Sequence, residues 1–187
     1  MGHPLRLAGL TRLEVYRIHD PRFPALSGFG AARWGGRWNP PGVAVVYTSA
    51  AYEGTLLEIL ARLEIGTIPT GHVASRIVLP ENATVQTFDE TGHADWRRRR
   101  RSHDVGREWV DSGRTLALVV PSLVARPWGR NVVLNPAHPD FARVRVAEVV
   151  DVRLDRTWGS VTVARAWVAR AAANAMVHWC GVSVTAG

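Results

Sequence analysis

The 187 residues suffice for one well-packed domain, and 47% hydrophobic with 21% charged content describes a globular chain, not a disordered one. All 23 basic residues are arginine and the formal charge is +7, which admits nucleic acid, an acidic protein or an anionic small molecule as partner. The single cysteine, Cys180, excludes an internal disulfide framework and a multi-cysteine zinc site. Cys180 itself reads as a small buried apolar residue. No uninterrupted apolar run of roughly eighteen residues offers a membrane span, and the N-terminus lacks the apolar core of a signal peptide, so a cytoplasmic protein is expected.

Residues 1–12 carry no pattern. Leu13 to Ile18 alternates as a strand, broken by His19-Asp20-Pro21. Residues 20–42 read as one long irregular loop rich in Gly and Pro, and long ordered loops tend to be functional. Val43 to Thr48 reads as a buried strand. Ser49 is the expected N-cap of a helix over residues 50–63, with Leu56, Leu57, Leu60 and Leu63 as its apolar face. Gly66 and Pro69 would end it. Strands follow over Val73–Leu79 and Thr84–Phe88. Residues 89–102 are polar and hold five arginines, Arg97 to Arg101, after Trp96. A short helix is expected over 102–112, then strands over 115–120 and 132–134. Asn135 to Pro139 is a rigid turn, with His138 ordering it through a ring nitrogen. Phe141–Val144 reads as a helical turn and Val146–Leu154 as the last strand. The tail beyond residue 157 is rich in Ala and Val. A helix over 160–179 is expected there, packed on the body or on a second subunit. Strands outnumber helices without regular alternation, which argues for an α+β fold and against a doubly wound sheet.

The most constrained stretch is Gly35-Gly36-Arg37-Trp38-Asn39-Pro40-Pro41-Gly42. Its prolines fix φ and its glycines permit unusual backbone, so neither helix nor regular strand can form. Such a loop holds something in place. The candidate is Arg37, a rigid fork of donors suited to phosphate or carboxylate. Glu58 lies between Leu57 and Ile59, where a core residue is expected, as a buried functional carboxylate would. Arg37, Tyr47 and Glu58 are therefore expected to converge on one pocket, with Arg17 beside them. Two arginines can neutralise a pyrophosphate, and a tyrosine can stack on or bond to a base. A glutamate can hold ribose hydroxyls and stabilise an oxocarbenium ion. On residue types alone, an ordinary solvated Glu and scattered arginines explain the same pattern.

Other motifs carry less. Gly28-Phe29-Gly30 opens like a dinucleotide fingerprint, but Arg33 occupies the third glycine position and no helix is signalled after it. The arginine run could bind nucleic acid with Trp96 as a stacking platform, against the plainer reading of a solvated, mobile loop. The seven histidines show no metal-ligand spacing, so no metal site is expected. Ser122 follows a strand in Val-Pro-Ser, but no nucleophile elbow surrounds it.

Taken in order, Gly-Gly-Arg-Trp-Asn-Pro-Pro-Gly, a strand ending Tyr-Thr-Ser, Leu-Leu-Glu in a helix, Val-Pro-Ser, and Leu-Asn-Pro-Ala-His-Pro-Asp-Phe resemble the RES-domain family of bacterial Xre–RES toxin–antitoxin pairs. The resemblance covers roughly residues 13–155 and assigns a catalytic domain over 13–157, with 1–12 and 158–187 as flanking segments. It implies an ADP-ribosyltransferase-like fold, with a mixed, mostly antiparallel core and flanking helices. It also implies a toxin that consumes NAD+ as substrate, with no tightly bound cofactor. Cleavage by hydrolysis or phosphorolysis and protein ADP-ribosylation all stay open. The implied site is Arg17, Arg37, Tyr47, Glu58 and a serine. Ser102 is assigned to the last, with Ser112 and Ser122 as rivals. The implied partner is an Xre-type antitoxin covering the site, with nucleic acid reached only through it. A homodimer stays open.

Overall fold

Alternation of apolar side chains across the strands produces two cores, one on each face of a single sheet. The computed structural model describes residues 13–61 and 71–152. In chain order it forms β1 (Glu14–His19), α1 (Phe29–Trp34), β2 (Val46–Ser49), α2 (Tyr52–Leu60), β3 (Val73–Val78) and β4 (Val85–Thr87). Then come α3 (Arg99–Ser112), β5 (Ala117–Pro121), β6 (Arg130–Leu134), a 3-10 turn (Pro139–Arg143) and β7 (Arg145–Asp151). Among the described residues these strands make one seven-stranded sheet, β4-β5-β6-β2-β1-β3-β7. Only β4 and β5 run parallel. The architecture is the expected α+β one.

Val46, Val132 and Leu134 meet Val15, Ile77 and Leu116 on one face. Val133, Leu118 and Val120 point the other way, onto Trp38, Phe88, Trp96 and Trp109. Each fully buried aliphatic side chain contributes roughly 1.5–3 kcal/mol, so these layers, not the short helices, set the frame. The aromatic face positions the site. α3 lies against it so closely that a Cβ on Gly106 would overlap the Trp38 carbonyl. A left-handed Gly113 (φ 57°) ends α3.

Several local expectations are corrected. Residues 20–42 are not wholly irregular, since α1 sits inside them. Its last carbonyls are taken by later groups, Asn39 Nδ2 donating to Ala31 O (2.8 Å) and Gly42 N to Ala32 O (2.7 Å). Long-range capping of this kind stabilises six residues with no helical signal of their own. A short helix therefore does follow Gly28. Ser49 is not an N-cap. It pairs with β1 and β6 as the last residue of β2, and Ala51 caps α2 without a side-chain bond. α2 buries Gly54 and Thr55, whereas Leu56 and Leu57 are half-buried and Leu60 is exposed. The arginine run is a loop only at Arg97 and Arg98, because Arg99 to Arg101 open α3, and four of the five side chains are exposed as expected. Trp96, only 2% exposed, offers no face for a base to stack on. β2 begins at Val46, and β7 spans Arg145–Asp151. The expectations for residues 1–12, for Leu63, Gly66 and Pro69, and for Leu154, the 158–187 segment, its helix and Cys180 lie outside the described residues.

Candidate active site

A buried asparagine organises the Gly-Pro loop. Asn39 is fully buried, and its Nδ2 donates to the carbonyls of Ala31 and Val43, both at 2.8 Å. Its Oδ1 accepts from the Tyr47 hydroxyl at 2.7 Å, and that oxygen in turn accepts from Trp38 N at 2.7 Å. The tyrosine comes so close to Gly36 that a Cβ there would lie 2.5 Å from its hydroxyl oxygen. Gly35 takes a left-handed φ of 69°. His103 of α3 places Nε2 2.8 Å from the Gly36 carbonyl, which can only accept, so the imidazole donates. Trp38 stacks on Trp96 with centroids 5.6 Å apart and an interplanar angle of 16°. The loop is thereby held from β2, α1 and α3 together.

This cage presents Arg37. Its guanidinium lies 5.6 Å from the Trp96 ring centroid and donates through one nitrogen to the carbonyls of Trp96 and Arg97. Its Nε is buried without a partner among the described residues. Burial first, and then the charge of Arg99, hold the guanidinium below its ordinary pKa. Such a group remains protonated at neutral pH, so the site carries an under-compensated cation.

Glu58 marks the second half. From α2 it reaches the end of β5 and the start of β6, where Oε1 accepts from Asn131 Nδ2 of β6 (2.8 Å) and from Ser122 Oγ just after β5 (3.2 Å). Ser122 is buried, and its Oγ also accepts from the backbone N–H groups of Val124 (3.3 Å) and Ala125 (3.1 Å). A cavity of about 330 Å³ opens beside this anchor, lined by Ser49, Glu53, Leu57, Ser122, Trp128 and Arg130 among others. That is the low end of the size range for small-molecule sites. A larger one, about 430 Å³, opens between Val78–Glu81 and Ala142–Arg145 and contains none of the expected site residues.

The expected residues thus fall into separate settings. Arg37 lies in the loop, and Tyr47 reaches that loop from β2. Glu58 stands with Ser122 rather than with Ser102. The Ser102 hydroxyl is buried in α3, donating to the Arg99 carbonyl at 3.1 Å, and that of Ser112 donates to Trp109 O at 2.8 Å. Arg17 donates to the carbonyls of Ala25 (2.6 Å) and Ser27 (3.0 Å), which ties the segment before α1 to β1. Burial lowers its pKa too. Asn39, His103 and Asn131 were given no role from sequence. The readable signals were an asparagine within a constrained Gly-Pro loop and a polar Asn131 opening an apolar run.

The site thus stands on an α+β fold, a mixed, mostly antiparallel sheet that bears an arginine loop and a helix-borne glutamate. Residues 14–157 match the RES domain, and the chain belongs to that family. It is 35% identical over 145 residues to a protein of Sphingobium sp. (strain YBL2) named Prs ADP-ribosylating toxin, covering 74% of this chain and 86% of that one. It is 30% identical over 147 residues to a protein of Photorhabdus laumondii named Toxin Res, covering 75% and 94%. In fold it is similar to a chain in the crystal structure of the M. tuberculosis MbcT–MbcA toxin–antitoxin complex. That likeness has a TM-score of 0.57 at 18% identity and covers 75% of this chain and 84% of the other.

Proposed function

We infer that this protein is a toxin that cleaves the nicotinamide–ribose bond of NAD+. The observation that carries the reading is Glu58, a carboxylate on α2 whose Oε1 is gripped by Ser122, just after β5, and Asn131 of β6 beside a cavity. A carboxylate held in this way can bind the hydroxyls of the nicotinamide ribose and face positive charge growing at C1′. The C1′–N bond breaks with its electron pair passing to the nicotinamide nitrogen, which leaves neutral. The oxocarbenium carbon is then taken by water, by phosphate or by a protein side chain, the acceptor giving up a proton. Arg37 supplies charge for the diphosphate, and Tyr47 holds the loop that carries it. Ser122 is the better-supported choice for the family serine, because its hydroxyl reaches Glu58. Ser102 faces its own helix.

Transfer of ADP-ribose to a protein is a second reading, favoured by the 35% identity to a relative whose printed name is an ADP-ribosylating toxin. Labelled NAD+ incubated with the pure protein, with and without phosphate and cell extract, separates the three acceptors. The Glu58→Gln variant is expected to lose NAD+ turnover by at least about a hundredfold while keeping its melting temperature. Full activity in that variant would sink the assignment. Other family members being toxins supports an antitoxin as partner, and a +7 chain suits an acidic face on it. An Xre-type antitoxin covering the Glu58 cavity is the specific form of this proposal, tested by protection of NAD+ on co-expression.

A further inference from the structure

The cavity of about 330 Å³ adjoins the Glu58 site without being made of it. Its walls come from the start of α2 and from the turn between β5 and β6, and Ala50, Ala51, Leu57 and Ala125 supply apolar lining. Of the residues that form or hold the site only Ser122 lines it; Arg17, Arg37, Tyr47, Glu58 and Asn131 do not. Ser122 Oγ is 3.2 Å from Glu58 Oε1. A peptide seated in the cavity therefore has its next residue or two, at about 3.8 Å per step, within reach of the carboxylate.

Trp128 stands at this cavity 87% exposed, more than any other large apolar residue among those described. Leu123, 38% exposed, belongs to the same turn. Apolar area held in water in this way is available to a partner. The turn is also built to keep it there. Ser122 N donates to Gly129 O (3.0 Å) and Gly129 N to Ala125 O (2.7 Å). Ser122 Oγ accepts from Val124 N and Ala125 N while it donates to Glu58. Arg130 gives NH1 to Pro127 O (2.9 Å) and Gly129 O (3.0 Å). One bonded turn thus fixes both the anchor of the carboxylate and the exposed indole. A pre-ordered aromatic loses little freedom on association, which suits it to anchor a protein interface.

Water and phosphate need no such surface to reach C1′. A protein acceptor does, because its nucleophile must be brought to one atom and held there. The small apolar cavity suits one apolar side chain. Its two charged lining residues, Arg130 from the turn and Glu53 from α2, set the direction of a peptide that carries a carboxylate on one side of that residue and a cation on the other.

We propose that this cavity and the Ser122–Arg130 turn are the docking site for a protein that receives ADP-ribose, with Trp128 as its anchor. The occupant is a segment with an apolar side chain for the cavity and flanking charges for Arg130 and Glu53. An oxygen or nitrogen of the docked protein bonds to C1′ as the C1′–N bond breaks. The electron pair passes to nicotinamide and the acceptor's proton to water. The docking site rests on the protein-transfer reading of the Glu58 site.

The full chain is incubated in phosphate-free buffer with bacterial cell extract and NAD+ labelled in its adenylate half. Label joined to protein and label released as free ADP-ribose are counted from the same tube. Trp128→Ala lowers the ratio of protein-bound to free label by at least about tenfold. Trp128→Phe keeps a ring and recovers part of the loss. Ala51→Trp, which fills the cavity from the α2 side, lowers the ratio as Trp128→Ala does. Melting temperatures establish that each variant is folded. An unchanged ratio in folded Trp128→Ala and Ala51→Trp, with the wild type labelling protein, would overturn the docking site and leave the transfer reading standing. A raised KM for NAD+ in extract-free assays, with the ratio unchanged, would give the cavity to the dinucleotide and overturn it as well. Free ADP-ribose without any protein label in the wild type would remove the transfer reading and the docking site with it.

Discussion

Arg17 on β1 and Arg37 in the loop before β2 look alike in sequence and end in opposite states. Both are partly buried, and burial lowers the pKa of both. Arg17 spends its hydrogen bonds on two backbone carbonyls and so stitches the segment before α1 to the sheet. Arg37 keeps a buried nitrogen without a partner among the described residues, beside the charge of Arg99. A cation satisfied by its own chain stabilises the fold. A cation left short of acceptors is held at the expense of stability and is available to a ligand. Each gives one nitrogen to two backbone carbonyls, so residue type, burial and the number of acceptors do not separate a structural from a functional arginine; a buried donor left without a partner does.

The largest expected effect tests Arg37. On the NAD+ reading, Arg37→Ala lowers kcat/KM by about a thousandfold, since a charge-assisted bidentate contact to phosphate is lost, while the melting temperature falls less than in Arg17→Ala, because losing the bonds to the Trp96 and Arg97 carbonyls is offset by removing a buried unpaired Nε. If the variant instead melts early and each folded molecule keeps its activity, the two arginines are not different in kind. The converse measurement is Arg17→Ala. Leaving the Ala25 and Ser27 carbonyls without their donor costs about 2 kcal/mol in urea unfolding, and activity per folded molecule falls by less than about tenfold.

A smaller effect sharpens the picture of the cage. Tyr47→Phe keeps the ring and removes the hydroxyl that links Asn39 Oδ1 to Trp38 N. It is expected to cost about 1–2 kcal/mol of stability, read from the same urea curves. Loss of activity without any loss of stability would give the hydroxyl a direct role on substrate instead. The smallest effect lies outside both regions. Asp20 is paired with the side chain of Arg22 and accepts from its backbone N–H, which lowers its pKa to about 2. A depressed carboxylate contributes stability that is complete above its unfolded pKa and disappears as pH falls through the folded value. The melting difference between wild type and Asp20→Asn is therefore small at neutral pH and vanishes between about pH 4 and pH 2. A difference that persists at pH 2 would assign the loss to something other than this pair.

Strand positions were legible because short Val-rich apolar runs between turn residues mark strands buried on both faces, as in Ala117–Pro121 and Arg130–Leu134. α1 was hidden because its stability comes from Asn39 and Gly42, residues beyond its own end. The start of α3 was hidden because five arginines in a row read as repulsion, whereas Arg97 lies over Trp96 and Arg99 to Arg101 form helix. Arg37, Tyr47 and Glu58 stood out as residue types out of place. Which serine meets Glu58 did not, since Ser102, Ser112 and Ser122 are equivalent as letters and differ only in what surrounds them.

The amino-acid sequence by itself determined the α+β class, the constrained Gly-Pro loop and the family, because periodicity and ordered motifs are local properties of the chain. Tertiary structure alone decided that Arg17 is satisfied and Arg37 is not, that Ser122 and Asn131 hold Glu58, and that Trp128 stands exposed at the cavity beside them. Each of these depends on groups brought together from distant strands. A side chain's partners, not its identity, set its electrostatic state.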